Sequence, residues 1–203
     1  MGAGLDHALA EIAAGRIVVI AGDRLRGGDI DLMVAARHVT PQAINFMATH
    51  GRGLICLAVT PERAAQLGLS LVNPGTERQT GRPFARSIEA ASGVSTGISA
   101  ADRAHTIAVA IAEAASATDI HSPGHVFPLI ARGCGVRERA SACEASIDLA
   151  RLAGAGDAAV ICSIMRDDGE MARLEDIGDL LNDHSLAVAD IGALIAQLEE
   201  AGA

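Results

Sequence analysis

The amino-acid sequence predicts an α/β or α+β chain built on one core, and three observations carry that expectation. Continuous apolar or β-branched runs alternate with stretches of helical period. That is the pattern of strands buried on both faces with helices laid against them. The alternation is irregular in spacing and shows no internal repeat or low-complexity segment, which leaves both fold classes open. Half of the 203 residues are hydrophobic, enough for a sizeable core in a single domain spanning residues 1–203.

Taken in order, Leu5, Leu9 and Ile12 mark a helix that Gly15 closes. Ile17-Val18-Val19-Ile20-Ala21 reads as a buried strand, Gly22 to Asp31 as a loop, and Leu32 to Ala36 as a second strand. Thr40-Pro41 and Thr60-Pro61 each place an N-cap before a proline at the first helical position. Between those two helices, Gly53 to Val59 is a strand. Residues 70–83 are rich in Gly, Pro, Asn and Thr and read as a loop. Phe84 to Ala90 is strand-like, and Ser99-Ala100-Ala101-Asp102 is a capping box for a helix towards Ala115. His125 stands on a Pro-Gly turn at the mouth of the apolar run Val126 to Leu129. A helix over Cys143–Ala153, a strand over Ala158–Ile164, a turn at Asp167-Asp168-Gly169, a helix around Glu175 to His184, a short strand and a final helix from Asp190 complete the chain.

Composition narrows the function. A formal charge of -9 disfavours binding to a phosphate backbone, which needs clustered cations. No apolar run approaches the roughly 20 residues that span a bilayer, and the start of the chain shows no signal-peptide pattern. A cytoplasmic protein without nucleic-acid or membrane partners is expected. There is no Trp or Tyr and only three Phe, so stacking on bases or sugars is disfavoured. Cys56, Cys134, Cys143 and Cys162 show no C-x-x-C spacing and read as reduced, mostly core thiols. His121 and His125 are four apart, but Ser122-Pro123-Gly124 between them forbids the helix a zinc pair would need.

Several segments are far more specific than any of these features. They are Thr40 to Met47 (TPQAINFM), His50 to Leu57 (HGRGLICL), Gly93 to Thr106 (GVSTGISAADRAHT), Pro123 to Leu129 (PGHVFPL) and Asp168 to Arg173 (DGEMAR). Together they resemble the 3,4-dihydroxy-2-butanone 4-phosphate synthase family, magnesium-using enzymes of riboflavin biosynthesis that act on ribulose 5-phosphate. The resemblance runs from about Gly15 to His184. It implies an α/β/α layered sandwich that forms a homodimer, with active sites near the subunit interface.

The resemblance also implies roles, residue by residue. Where the family has Asp-Arg-Glu-(Asn/Asp)-Glu-Gly-Asp-Leu, this chain has Leu25-Arg26-Gly27-Gly28-Asp29-Ile30-Asp31-Leu32. The first glutamate, a magnesium ligand, thus falls on Gly27, and the second is shortened to Asp29. Arg26 and Asp31 are kept. The family's metal-binding histidine falls on Ala142, and a third acid falls on Ser163. Glu144 keeps a family glutamate, Arg139 a position facing anionic substrate, and Thr96 lies in a matching segment. The substrate loop becomes Thr76-Glu77-Arg78 and Gly81-Arg82-Pro83-Phe84-Ala85-Arg86, which brings in three arginines suited to a carboxylate or phosphate.

The leading expectation is therefore a diverged, metal-independent enzyme with no cofactor. It would act by acid/base chemistry on a small anionic carbonyl or enol-type compound. His125 would work with Asp31, Asp29 or Cys56. Arg26, Arg82, Arg86 and Arg139, with Thr96 and Glu144, would bind the substrate. Bland readings stay open beside it: Cys56 as a core thiol, the aspartates as solvated loop acids, the arginines as surface charge, Glu144 as a first-turn acid. Two other functions also stay open, a non-catalytic homologue partnering an intact synthase and a residual synthase.

Overall fold

The computed structural model describes residues 3–75 and 82–202. The substitutions at Thr76, Glu77 and Arg78, and the retained Gly81, lie outside the described residues.

Helix α1 (Ala3–Ala13) leads into strand β1 (Val18–Asp23), a 3₁₀ turn (Arg24–Arg26) and strand β2 (Asp29–Ala35). Helix α2 (Pro41–Phe46) runs on through a π turn (Met47–Gly51) to β3 (Cys56–Val59) and α3 (Pro61–Gln66). Then come β4 (Ile88–Ala90), α4 (Ala100–Ile111) and the long β5 (Ile120–Ile130). Helix α5 (Ala142–Leu152), β6 (Ala159–Ser163), α6 (Gly178–Asp183), β7 (Val188–Asp190) and α7 (Ile191–Gly202) follow. The strands form one mixed sheet in the order β4-β5-β3-β6-β2-β1-β7. The β3–β5 and β1–β7 pairs are parallel and the rest antiparallel.

The expected α/β/α sandwich is what the chain forms. Strand side chains alternate between faces, so Val19, Leu32, Leu57 and Val160 pack with Ile44 of α2, Leu67 after α3 and Ile107 of α4. Val18, Met33, Ala58 and Ile161 pack on the opposite face with Ile12 of α1, Ile147 of α5 and Leu194 of α7. Burial on both faces is why the strands read as unbroken apolar runs rather than as alternation.

The helix starts follow their caps. The Thr40 hydroxyl accepts from the Ala43 amide at 3.1 Å, and the Thr60 hydroxyl accepts from Arg63 at 3.2 Å. Replacing Thr40 by Ala should cost about 1 kcal/mol of stability, read as a lower urea midpoint at unchanged m-value.

Strands β3 and β4 begin later than expected, at Cys56 and Ile88, and α4 ends early at Ile111, but two other differences shape the site. Strand β2 begins at Asp29, so Asp29 and Asp31 are buried strand residues rather than loop acids. Strand β5 starts at Ile120 and runs through the Pro-Gly turn, with Ile88 opposite Val126 but Glu89 opposite His121. That register break bulges out the residues between them and lets Gly124 lie on β4. A Cβ on Gly124 would fall 2.1 Å from the Ile88 carbonyl carbon, so only glycine fits there.

Candidate functional site

The β1–β2 hairpin builds the first part of the site. Its 3₁₀ turn folds Arg26 back over β2, whose period of two turns Asp29 and Asp31 to the same face. Pairing of β2 with β6 sets Asp31 opposite Ser163. Arg82 then closes the group: one guanidinium nitrogen donates to Asp31 Oδ1 and, at 2.6 Å, to Ser163 Oγ. Ser163 in turn donates to the same Asp31 oxygen at 2.9 Å. Arg26 pairs with Asp29 at 2.7 Å and reaches Asp31 at 3.5 Å, while Arg173 pairs with Asp29 from the other side. Arg82 is 9% exposed and Asp31 fully enclosed. Burial, the largest single influence, would lower the Arg82 pKa, but the charge of Asp31, the neighbouring Cys56 and Cys143 and the hydrogen bond to Asp31 together outweigh it and hold the guanidinium above its ordinary value.

The start of α5 supplies the second part. The Ala142 amide donates to Asp23 Oδ2 at 3.0 Å. Glu144, wholly buried, is held by the Ser141 hydroxyl and, at 3.0 Å, by the Arg132 amide, with Arg139 at 3.6 Å. Burial pushes the Glu144 carboxyl up, against the pull of Ser141 and Arg139. Asp23 is likewise pushed up by burial, with the Ala142 amide opposing and the charge of Asp31 adding to the rise. Its Oδ1 has no hydrogen-bond partner among the described residues.

A carboxyl whose folded pKa is raised stabilises the fold fully only below its unfolded value, about 4. That stability is lost as the pH rises through the folded value. Asp23→Asn should therefore be more stable than the parent chain at pH 7, with the gap closing towards pH 3, as read from urea midpoints at the two pH values.

Cys56, at the head of β3, is buried, and burial lifts its thiol to about 11. It is an uncharged thiol at neutral pH rather than a nucleophile. Arg86 is exposed and shares with Arg82 a cavity of about 580 Å³ whose walls include Leu54, Phe84 and Phe127.

His125 stands outside this hydrogen-bonded group, between Gly124, whose amide donates to Ser87 of the cavity wall at 3.2 Å, and the strand run to Phe127 of the same wall. Its Nδ1 is 2.6 Å from Glu89 Oε2, and among the described residues it makes no hydrogen bond or ion pair with Asp31, Cys56 or the arginines. Thr96 is exposed in the loop before α4 and adjoins Gly97, which packs on that same pair. The structure thus joins Arg26, Asp29, Asp31 and Arg82, sets Arg139 and Glu144 together at α5, and leaves His125 and Thr96 as a separate group. Two members were missed from the sequence. Arg173 sits in a segment matched for its resemblance alone, and Glu89 is a lone strand acid with no motif around it.

The sequence profile described as 3,4-dihydroxy-2-butanone 4-phosphate synthase matches residues 6–197. The chain belongs to that family. A curated member, the riboflavin biosynthesis protein RibBA of Aquifex aeolicus, is 50% identical over 193 residues, covering 94% of this chain and 48% of its own. The chain spans about half the length of that relative. The 3,4-dihydroxy-2-butanone 4-phosphate synthase of Klebsiella pneumoniae is 40% identical, covering 97% of this chain and 90% of its own. A crystal structure of a family synthase in complex with two magnesium ions superposes with a TM-score of 0.90 at 33% identity, over 98% of both chains.

That magnesium-bound relative overturns the expectation of no cofactor, because the fold itself is one that takes the ion. Whether this chain's donors suit magnesium is a separate, chemical question. The ion wants hard oxygens in near-octahedral geometry, commonly one or two carboxylates with substrate and water. Gly27 and Ala142 carry no side-chain donor. The oxygens of Asp29 and Asp31 are taken by Arg26, Arg82, Arg173 and Ser163. Asp23 Oδ1 is the one unengaged carboxylate oxygen of this group among the described residues, and it lies near two guanidinium charges. The donor set as arranged does not fit the ion, and no residue is assigned to it.

Proposed function

We propose that the chain, as one domain working in a homodimer, is a lyase of the dihydroxybutanone phosphate synthase type, releasing formate from ribulose 5-phosphate. The observation that carries this reading is the arginine-walled cavity, where Arg82 and Arg86 flank an apolar pocket beside the Asp31 group. Guanidinium forks suit a phosphate, and the described cavity is of the size of small-molecule sites.

In this reading Arg82 and Arg86 hold the phosphate, and Asp31 and Ser163 hold Arg82 in place. His125 moves the proton on the carbon beside the carbonyl. Cys56, as a buried uncharged thiol, packs beside the Arg82 and Asp31 pair. Because His125 makes no direct bond to the arginine group among the described residues, the reading requires the substrate to bridge the two.

A second reading is favoured by the arginines on Asp29 and Asp31 and by Gly27 and Ala142: acid/base chemistry on a different small anionic carbonyl compound. Formate release from ribulose 5-phosphate, followed with purified chain over a titration of added magnesium, separates the two. Turnover supports the synthase. Saturable binding of ribulose 5-phosphate without formate at any magnesium level supports the changed substrate and overturns the first reading.

A further inference from the structure

We propose that Glu89 is the positioning residue for His125, fixing the tautomer and direction of the imidazole so that Nε2 is its working nitrogen. The inference rests on the acid/base role of His125 given above. The contact itself is asymmetric in its chemistry. An ionised carboxylate only accepts hydrogen bonds, so at 2.6 Å the proton between Glu89 Oε2 and His125 Nδ1 belongs to the ring. The neutral imidazole then has its lone pair on Nε2, the state required of a proton acceptor.

The surroundings hold this arrangement from three sides. The second oxygen of Glu89 accepts from the Thr106 hydroxyl at 3.2 Å, and Thr106 Oγ1 is itself pinned by the Ala90 amide at 3.1 Å. The carboxylate therefore cannot turn without breaking a part-buried bond. Over the pair lies Gly97, at φ +81°, where a Cβ would fall 2.0 Å from Glu89 Oε2 and 2.6 Å from His125 Nδ1. Only a glycine lets the loop close that tightly.

The loop is tied down in turn by Asp102, which accepts from the Ser95 hydroxyl at 2.9 Å and from the Gly97 amide at 3.0 Å. Ser99 caps the same helix on the Asp102 amide at 3.0 Å. One edge of the ring is thus covered and fixed, while the histidine side chain as a whole is 41% exposed against 14% for Glu89. Carboxylate–imidazole pairs elsewhere fix tautomer and orientation without the acid taking the proton. The same division of labour follows here from donor count alone.

The test uses the 203-residue chain labelled with ¹⁵N, in which two-bond ¹H–¹⁵N spectra report which imidazole nitrogen carries the proton. His125→Gln assigns the resonances. The parent chain should show neutral His125 as the Nδ1–H tautomer. Glu89→Gln keeps the shape but offers an amide donor to Nδ1, and should convert His125 to the Nε2–H tautomer. Formate release should then fall on the order of 10²-fold or more, mainly in kcat, and Glu89→Asp should recover part of it. An unchanged tautomer in Glu89→Gln, in a chain with otherwise unchanged amide spectrum, overturns the proposal. A switched tautomer with unaltered turnover upholds the hold of Glu89 on the ring, and it removes His125 from the chemistry instead.

Discussion

Arg82→Ala should destabilise the chain by about 3–5 kcal/mol, the cost of leaving a buried charge without its partner. Asp31 is fully buried, and the Arg82 guanidinium reaches both Asp31 and the serine that also bonds it. Without Arg82, Asp31 keeps Ser163 at 2.9 Å and Arg26 at 3.5 Å, and neither replaces a close guanidinium. Because the loss comes from the stranded carboxylate, the double variant Arg82→Ala/Asp31→Asn should be more stable than Arg82→Ala alone. Arg82→Lys should fall between them, since an ammonium restores charge but not the fork. Chemical denaturation of the parent, Arg82→Ala, Asp31→Asn and the double variant reads this as a double-mutant cycle, with Arg82→Lys measured beside them. A loss below about 1 kcal/mol for Arg82→Ala would show the pair to be mere surface charge.

His125→Gln should reduce turnover by about 10²- to 10⁴-fold, the usual contribution of a positioned acid/base group. The residue is partly exposed near the edge of the sheet, and glutamine keeps a donor near Glu89, so the urea midpoint should barely move. The loss should lie in kcat, because the arginines that hold the anion belong to a different part of the chain. Steady-state kinetics beside the unfolding curve checks both halves of the statement. A decrease of less than tenfold would place the proton transfer on another group.

Most of the architecture was legible before folding. Ile17 to Ala21 can hardly be other than a buried strand, and Thr40-Pro41, Thr60-Pro61 and Ser99 start the helices at α2, α3 and α4. The expectation for Asp29 and Asp31 went astray because loop and strand ends are written in the same polar residues. Only the pairing with β1 and β6 shows that the ladder already holds both, Asp29 opposite Asp23 and Asp31 between Ile20 and Ser163. The missing cofactor was misjudged for another reason. Absent side chains at Gly27 and Ala142 describe this chain's donors, whereas the magnesium-bound relative describes what the fold accepts.

By itself, the sequence determined the inventory of strands and helices, the family, and the absence of donors at two positions, since each is local in the chain or carried by short motifs. The tertiary structure decided who partners whom. Arg82 meets Asp31 across 51 residues, Ser163 meets it across 132, and Glu89 meets His125 across 36. Sheet order and register place the strand-borne groups, and in a mixed sheet most of whose neighbours are not consecutive, no spacing along the chain encodes them.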